Sequence, residues 1–135
     1  MVVFLDANFL VAAGLRPKGD YNRVLEAGND TYVTSEHLLA EVTRNLRRLG
    51  RDPAVYITRL RQLMKITDQF EILPAGLPLE GSGDRQALAE AIGAGCDLFV
   101  TSDTDFEALF GTKVKGVLVE RSLEYTRRHF SANSS

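Results

Sequence analysis

LFVTSDTDF, residues 98–106, sets three large apolar residues in a row and then places Asp103 and Asp105 one residue apart. A short continuous apolar run that ends in a polar turn reads as a strand buried on both faces. Two carboxylates where such a strand ends raise each other's cost of ionisation. They belong either to a turn with a helix cap or to a site that uses concentrated negative charge. The pattern recurs at the start of the chain, where Val2–Leu5 is apolar and Asp6 follows directly.

Working outward, Thr31–Thr34, Phe70–Leu73 and Val117–Val119 join Val2–Leu5 and Leu98–Thr101 as five expected strands. Helical patterns lie between them. Asp20–Ala27 opens on a capping Asp and stops at Gly28, and Ser35–Leu49 repeats Leu38, Val42, Leu46 and Leu49 on one face. Pro53 suits the first turn of a helix running to about Thr67; Asp84–Ala94 and Ser122–Phe130 complete the set. Phe9, Leu10 and Val11 read as core or as a dimer face. Alternation of this kind predicts an α/β fold, a three-layer α/β/α domain around a central, mostly parallel five-stranded sheet. With no internal repeat or linker, residues 1–130 read as one domain, and SANSS, 131–135, as a disordered tail. The irregular stretch 74–83 is placed to border a site.

Bulk properties narrow the function. With 135 residues, 44% apolar and 25% charged, the chain can bury a sizeable core. A net charge of −2 argues against a nucleic-acid binder held by charge alone, though not against a local basic face. One cysteine, Cys96, allows no intrachain disulfide, and one Cys with His37 and His129 makes no zinc-type set. The N-terminus lacks a basic leader region, and no apolar run approaches the roughly 20 residues of a membrane span. A cytoplasmic protein with no membrane partner is the expectation.

In an open α/β sheet, ligands sit beyond the carboxyl ends of the strands. Asp6 and Asp103 follow strands, so a parallel sheet brings both to one edge. Asp84 opens a helix downstream of another expected strand. Glu41 lies two turns into Ser35–Leu49, at the border of the apolar stripe. Singly, Asp84 reads first as an N-cap, Asp105 as a cap of Phe106–Phe110 and Glu41 as a surface acid. Asp6 is harder to set aside, because an acid directly after four apolar residues is disfavoured in a core. Jointly, carboxylates converging on one edge would repel one another unless a cation lay among them. An all-oxygen donor set favours a hard ion, Mg²⁺ or Mn²⁺, which takes phosphate oxygens as further ligands. Such an ion can activate water for phosphodiester cleavage.

Nearly the whole chain resembles the PIN domains, the fold of many metal-dependent ribonucleases, including VapC-like toxins of toxin–antitoxin pairs. The resemblance runs through FLDANFLVAA, TSEHLLAEVTRNL and GDRQALAEAIGAGCDLFVTSDTDF. Asp6-Ala7-Asn8 matches the family's D-x-N after the first strand, and Glu41 and Asp84 match its helical acids. Thr101, Asp103 and Asp105 match a T-x-D-x-D-like signature. The resemblance implies an endoribonuclease using Mg²⁺ or Mn²⁺. Asp6, Glu41, Asp84 and Asp103 would be catalytic and metal-holding, with Asp105 an accessory ligand. It also implies a homodimer and an antitoxin protein that blocks the cleft. Ala7 departs from the family, where Thr or Ser often stands.

Two alternatives stay open. A phosphatase of the haloacid-dehalogenase type also places an Asp after its first strand, but needs a second acid where Asn8 stands. A non-catalytic interaction module would keep the fold alone. For RNA contact, Arg44, Arg47, Arg48 and Arg51, with Arg59, Arg61 and Lys65, form either a basic rim beside the acids or a solvated helix face. His37 and His129 read as surface or half-buried residues, not catalysts.

Overall fold

The computed structural model describes residues 1–133. Six strands, β1 (Val2–Leu5), β2 (Thr31–Ser35), β3 (Lys65–Thr67), β4 (Leu98–Thr101), β5 (Lys113–Val114) and β6 (Val117–Arg121), form one sheet in the order β3-β2-β1-β4-β6-β5. All neighbours are parallel except β5, which pairs antiparallel with β6. Helices α1 (Ala7–Leu15), α2 (Asp20–Ala27), α3 (Glu36–Arg48), α4 (Ala54–Leu63), α5 (Ser82–Gly93) and α6 (Ser122–Asn133) flank it. The expected α/β architecture with a mostly parallel sheet is present.

The central strands are apolar because both faces are covered. Val3, Phe4, Leu5, Phe99 and Val100 are all fully buried, and the Phe4 and Phe99 rings stack at 5.6 Å. From β1 the chain moves to one side through β2 and β3, then returns to β4 on the other side of β1. The order therefore reverses between β1 and β4, and the crevice at their carboxyl ends is the expected place for a ligand.

Three expectations need correction. The sheet has six strands rather than five, since β5 is added as a two-residue partner of β6. The edge beside β2 is taken by Lys65–Thr67, not by Phe70–Leu73. The helix begun near Pro53 stops at Leu63, and β-branched Ile66 and Thr67 pair with Thr34 and Ser35. Phe70–Leu73 instead lies across the end of α5, where Glu71 N donates to Ala89 O at 3.0 Å. A Cβ on Gly93 would sit 2.5 Å from the Phe70 Cα, so glycine admits this backbone crossing. Phe70 and Ile72 themselves are exposed.

Helix α1 arises where no helical period announces it. ANFLVAAGL is apolar almost all round, because the helix packs against β4, α2 and α3. Phe9 and Leu10 are core residues and not a dimer face; Val11 is half-buried. Gly14 lets α1 meet Tyr56, whose hydroxyl donates to Leu10 O at 2.5 Å. At the other end, α6 extends the expected last helix through Asn133, while Ser134 and Ser135 of the expected tail lie outside the described residues. Among the described residues no helix is long and apolar enough to cross a membrane.

Candidate metal centre and active site

Asp6 ends β1 and caps α1, its Oδ1 accepting from Ala7 N at 2.9 Å. Its Oδ2 accepts from the hydroxyl of Thr101, the last residue of β4, at 2.7 Å. Register explains the meeting. Leu5 pairs with Val100, and Asp6 N donates to Val100 O, so the next residues of two central strands stand side by side. The Thr101 oxygen is fully engaged, for it also accepts from Asn8 Nδ2 at 3.2 Å and Asp103 N at 3.1 Å. Asn8 Oδ1 in turn accepts from Ser102 N. Both ends of the Asn8 amide thus brace the exit of β4, leaving it no role as a proton donor.

Asp103 follows β4 and caps the 3-10 helix Thr104–Leu109, accepting from Asp105 N at 2.9 Å. Sequence reasoning gave that cap to Asp105. The structure transfers it to Asp103 and leaves Asp105 exposed in the first turn. The cap reading of Asp84 also falls, since Gly81 occupies the N-cap of α5 without a side-chain bond and Asp84 is third in the helix. Asp20 likewise sits inside α2, behind an N-cap at Gly19. One carboxylate oxygen from each of Asp84, Asp103 and Asp105 lies within 4.8 Å of the others.

Asp6, Glu41, Asp84 and Asp103 line one cleft of about 490 Å³, together with parts of α1 and α3. Asp105 belongs to the trio but does not line the cleft. Glu41 lines the cleft and adds to the repulsion on Asp6, but stands outside the trio. All five sequence-predicted acids therefore meet around one edge, in two overlapping groups that share Asp84 and Asp103.

The electrostatics carry the cost of that crowding. Burial pushes the Asp6 carboxyl up to about 6, against the hydrogen bonds from Thr101 and Ala7, with Glu41 and Asp103 adding repulsion. Asp84 is pushed up to about 7, first by loss of solvent, then by a hydrogen bond with Asp105 and the charges of Asp103, Asp105 and Asp6. Among the residues lining the cleft, four carboxylates face a single cation, Arg48. Oxygen donors of this number and spacing fit a hard divalent ion, and such an ion would relieve the repulsion.

Sequence reasoning missed two buried acids, Glu90 and Glu120, the second of them paired with Arg128. Glu90, on α5, is 7% exposed; its Oε1 accepts from Ser35 Oγ at 2.9 Å and faces His37 Nδ1 at 3.4 Å. Ser35 also caps α3 by accepting from Leu38 N. The bond links the helix that carries Asp84 to the start of the helix that carries Glu41. Its only trace in the sequence is an acid inside the small apolar run ALAEAIGA. His37 and His129 both lie away from the cleft lining, and His129 Nε2 meets Asn29 instead.

The basic residues divide. Arg59 and Arg61 are paired with Glu26 and Glu36. Arg44, Arg47, Arg48 and Arg51 are exposed and form no ion pair among the described residues. Lys65 is also exposed and unpaired among the described residues, but it stands on β3 and not on a helix, so the set on and just beyond α3 is the one placed beside the cleft.

Comparison with known proteins agrees with the fold. The PIN domain family matches residues 3–110. The crystal structure of VapBC2 from Rickettsia felis, bound to a DNA fragment from its promoter, holds a chain with 20% identity and a TM-score of 0.64. The match covers 90% of this chain and 98% of that one. VapC20 of Mycobacterium tuberculosis, described as a sarcin–ricin loop cleaving toxin, aligns with 24% identity and a TM-score of 0.56, over 78% of this chain and 93% of its own. No curated protein sequence matches significantly.

Proposed function

The chain belongs to the PIN domain family, and on that premise we propose that it is a divalent-metal-dependent endoribonuclease that hydrolyses RNA phosphodiester bonds. The observation that carries the reading is the set of acids delivered by β1, α3, α5 and the exit of β4 to the switch point of the sheet. A fold stabilised only by packing gains nothing from placing a buried Asp6 beside Asp103, Asp84 and Glu41. PIN domains are typically nucleases, and the phosphatase alternative loses its second acid to the bracing role of Asn8.

Asp6, Asp84 and Asp103 would hold the metal, with Asp105 accessory, and Glu41 would help to hold and position a water from the wall of α3. Bound Mg²⁺ or Mn²⁺ supplies a Lewis acid and a water of lowered pKa. The chain's own part is orientation. Thr101 and Ala7 N fix both oxygens of Asp6, and the cap on Asp105 N fixes one oxygen of Asp103. Glu41 has no side-chain hydrogen bond among the described residues and is free to take a proton from an attacking water.

The test joins binding to turnover. Millimolar Mn²⁺, a working concentration of about the right order for oxygen-ligand sites, should raise the melting temperature by mass action. Asp6→Asn should weaken that rise and the cleavage of RNA together. Metal binding with no cleavage of any RNA pool would favour the non-catalytic module, and a melting temperature indifferent to Mn²⁺ would remove the site.

The VapC neighbours support a finer reading of the chain as the toxin of a toxin–antitoxin pair, and we infer with it a cytoplasmic homodimer. An antitoxin could silence the cleft by placing a basic side chain among the acids in place of the metal's charge. Light scattering is expected to give a dimer mass; a strict monomer over a wide concentration range would exclude the homodimer.

A further inference from the structure

The cleft is larger than its acids need. Along α1 the lining continues from Asp6 through Val11, Ala12 and Leu15, which lies about 13 Å further on at the rise of a helix. Leu49, at the end of α3, faces the same space and is 54% exposed, whereas Leu38 belongs to the core beneath it at 1%. A metal and a phosphate would engage only the carboxylates. The aliphatic wall beside them remains to be covered by something apolar that arrives with the phosphate. A nucleobase has that character: flat apolar faces, and hydrogen-bonding groups confined to its edge.

One polar side chain is set into this wall. Asn45 stands one helical turn beyond Glu41, is half-buried and lines the cleft. Its side-chain amide has no hydrogen-bond partner among the described residues. An amide offers a donor and an acceptor side by side, which is what reading the edge of a base requires. Three residues on, Arg48 lines the cleft too, and Arg44, Arg47 and Arg51 continue the unpaired positive charge over the outer face of that segment. Among the described residues no aromatic ring lines the cleft, so stacking supplies no sequence-tolerant grip.

We propose that Asn45 is the residue that sets the base specificity of the cleft. The base next to the scissile phosphate seats against Val11, Leu15 and Leu49, Asn45 reads its edge, and Arg48 holds the adjoining phosphate. The base must be unpaired, since a base within a duplex presents no face to a wall. The proposal rests on the nuclease reading and assigns its substrate specificity.

The experiment uses wild type, Asn45→Ala, Arg48→Ala and, for the wall, Leu15→Ser on an RNA pool randomised around the cut, with Mn²⁺, the cleavage ends being sequenced. Alanine is a strong helix former, so both alanine variants keep α3. Wild type should prefer one base about tenfold at a position adjoining the cut, the discrimination one good edge contact provides. Asn45→Ala should flatten that preference. Arg48→Ala should keep it, raise KM for all sequences alike and make binding less sensitive to salt. A wild-type preference untouched by Asn45→Ala, or no preference at positions adjoining the cut, overturns the role of Asn45 while cleavage itself upholds the nuclease. Preference insensitive to both Asn45→Ala and Leu15→Ser would hand the wall to a protein partner. Binding of the same RNAs in EDTA separates the two ideas if wild type cleaves nothing. Base discrimination abolished by Asn45→Ala then supports the role of Asn45 against the nuclease reading, and binding without discrimination sinks both.

Discussion

Asp103→Asn is expected to lower RNA cleavage at least about a hundredfold, beyond the range typical of losing a group that merely supports a metal ligand. The metal-free protein should meanwhile melt at the same temperature or higher. Asp103 has two jobs that asparagine separates. It caps the 3-10 helix by accepting from Asp105 N, and an asparagine oxygen caps equally well. It also presents a charge to a cleft shared with Asp6, Glu41 and Asp84, and asparagine cannot. Removing that charge eases the repulsion felt by Asp6 and Asp84, which is why stability should not fall. Asp105→Asn should be milder, within about tenfold, because Asp105 does not line the cleft and its link to Asp84 can survive in an amide. Purified variants assayed on one RNA with Mn²⁺ decide the matter. An inactive Asp105→Asn beside an active Asp103→Asn would exchange the two roles.

The same two residues show how far the sequence could be read. Strand ends were legible because β1 and β4 are buried on both faces and therefore break sharply into polar residues. The acids that follow them were legible for the same reason. What was not legible is whatever depends on a partner distant in sequence. Lys65–Thr67 is three residues, half-buried at a sheet edge, and joined to a helix with no turn residues between; only β2 makes it a strand. Phe70–Leu73 carries strand-like residues, yet it is held by α5 and leaves Phe70 and Ile72 in solvent. Helix α1 lost its periodicity because it has no polar face to show. Within the site, the cap passed from Asp105 to Asp103 because the 3-10 helix begins two residues earlier than its apolar residues suggest. Glu90 leaves only an acid within a small apolar run, because its burial is compensated by Ser35, 55 residues away.

Burial of the acids, and then their crowding, also gives the metal-free protein an unusual response to pH. The Asp6 carboxyl is raised to about 6 and that of Asp84 to about 7, against 3.8 for an unhindered aspartate. Between those limits the folded chain binds protons that the unfolded chain has released, so stability falls as pH rises. The contribution is fully present below about 4 and is lost as pH passes through 6 and then 7. For the buried Asp6 the loss is on the order of 3 kcal/mol; Asp84 adds to it in the same direction. In EDTA the melting temperature should therefore climb as pH is lowered from about 8 to about 5. The opposite effect, loss of stabilising ion pairs, begins lower. Glu36 is held below 4.5 by Arg61 and releases its partner only as pH falls under that value, leaving the window above 5 to the site. Mn²⁺ should reverse the trend, because it binds the ionised acids and must displace their protons. Its stabilising effect should be greatest near pH 8 and fade towards 5. Asp6→Asn should flatten the slope in EDTA, since it removes one of the two groups responsible. A melting temperature that stays level or falls from pH 8 to 5 without metal would mean that the acids are already neutralised within the fold, and the case for a metal among them would go with it.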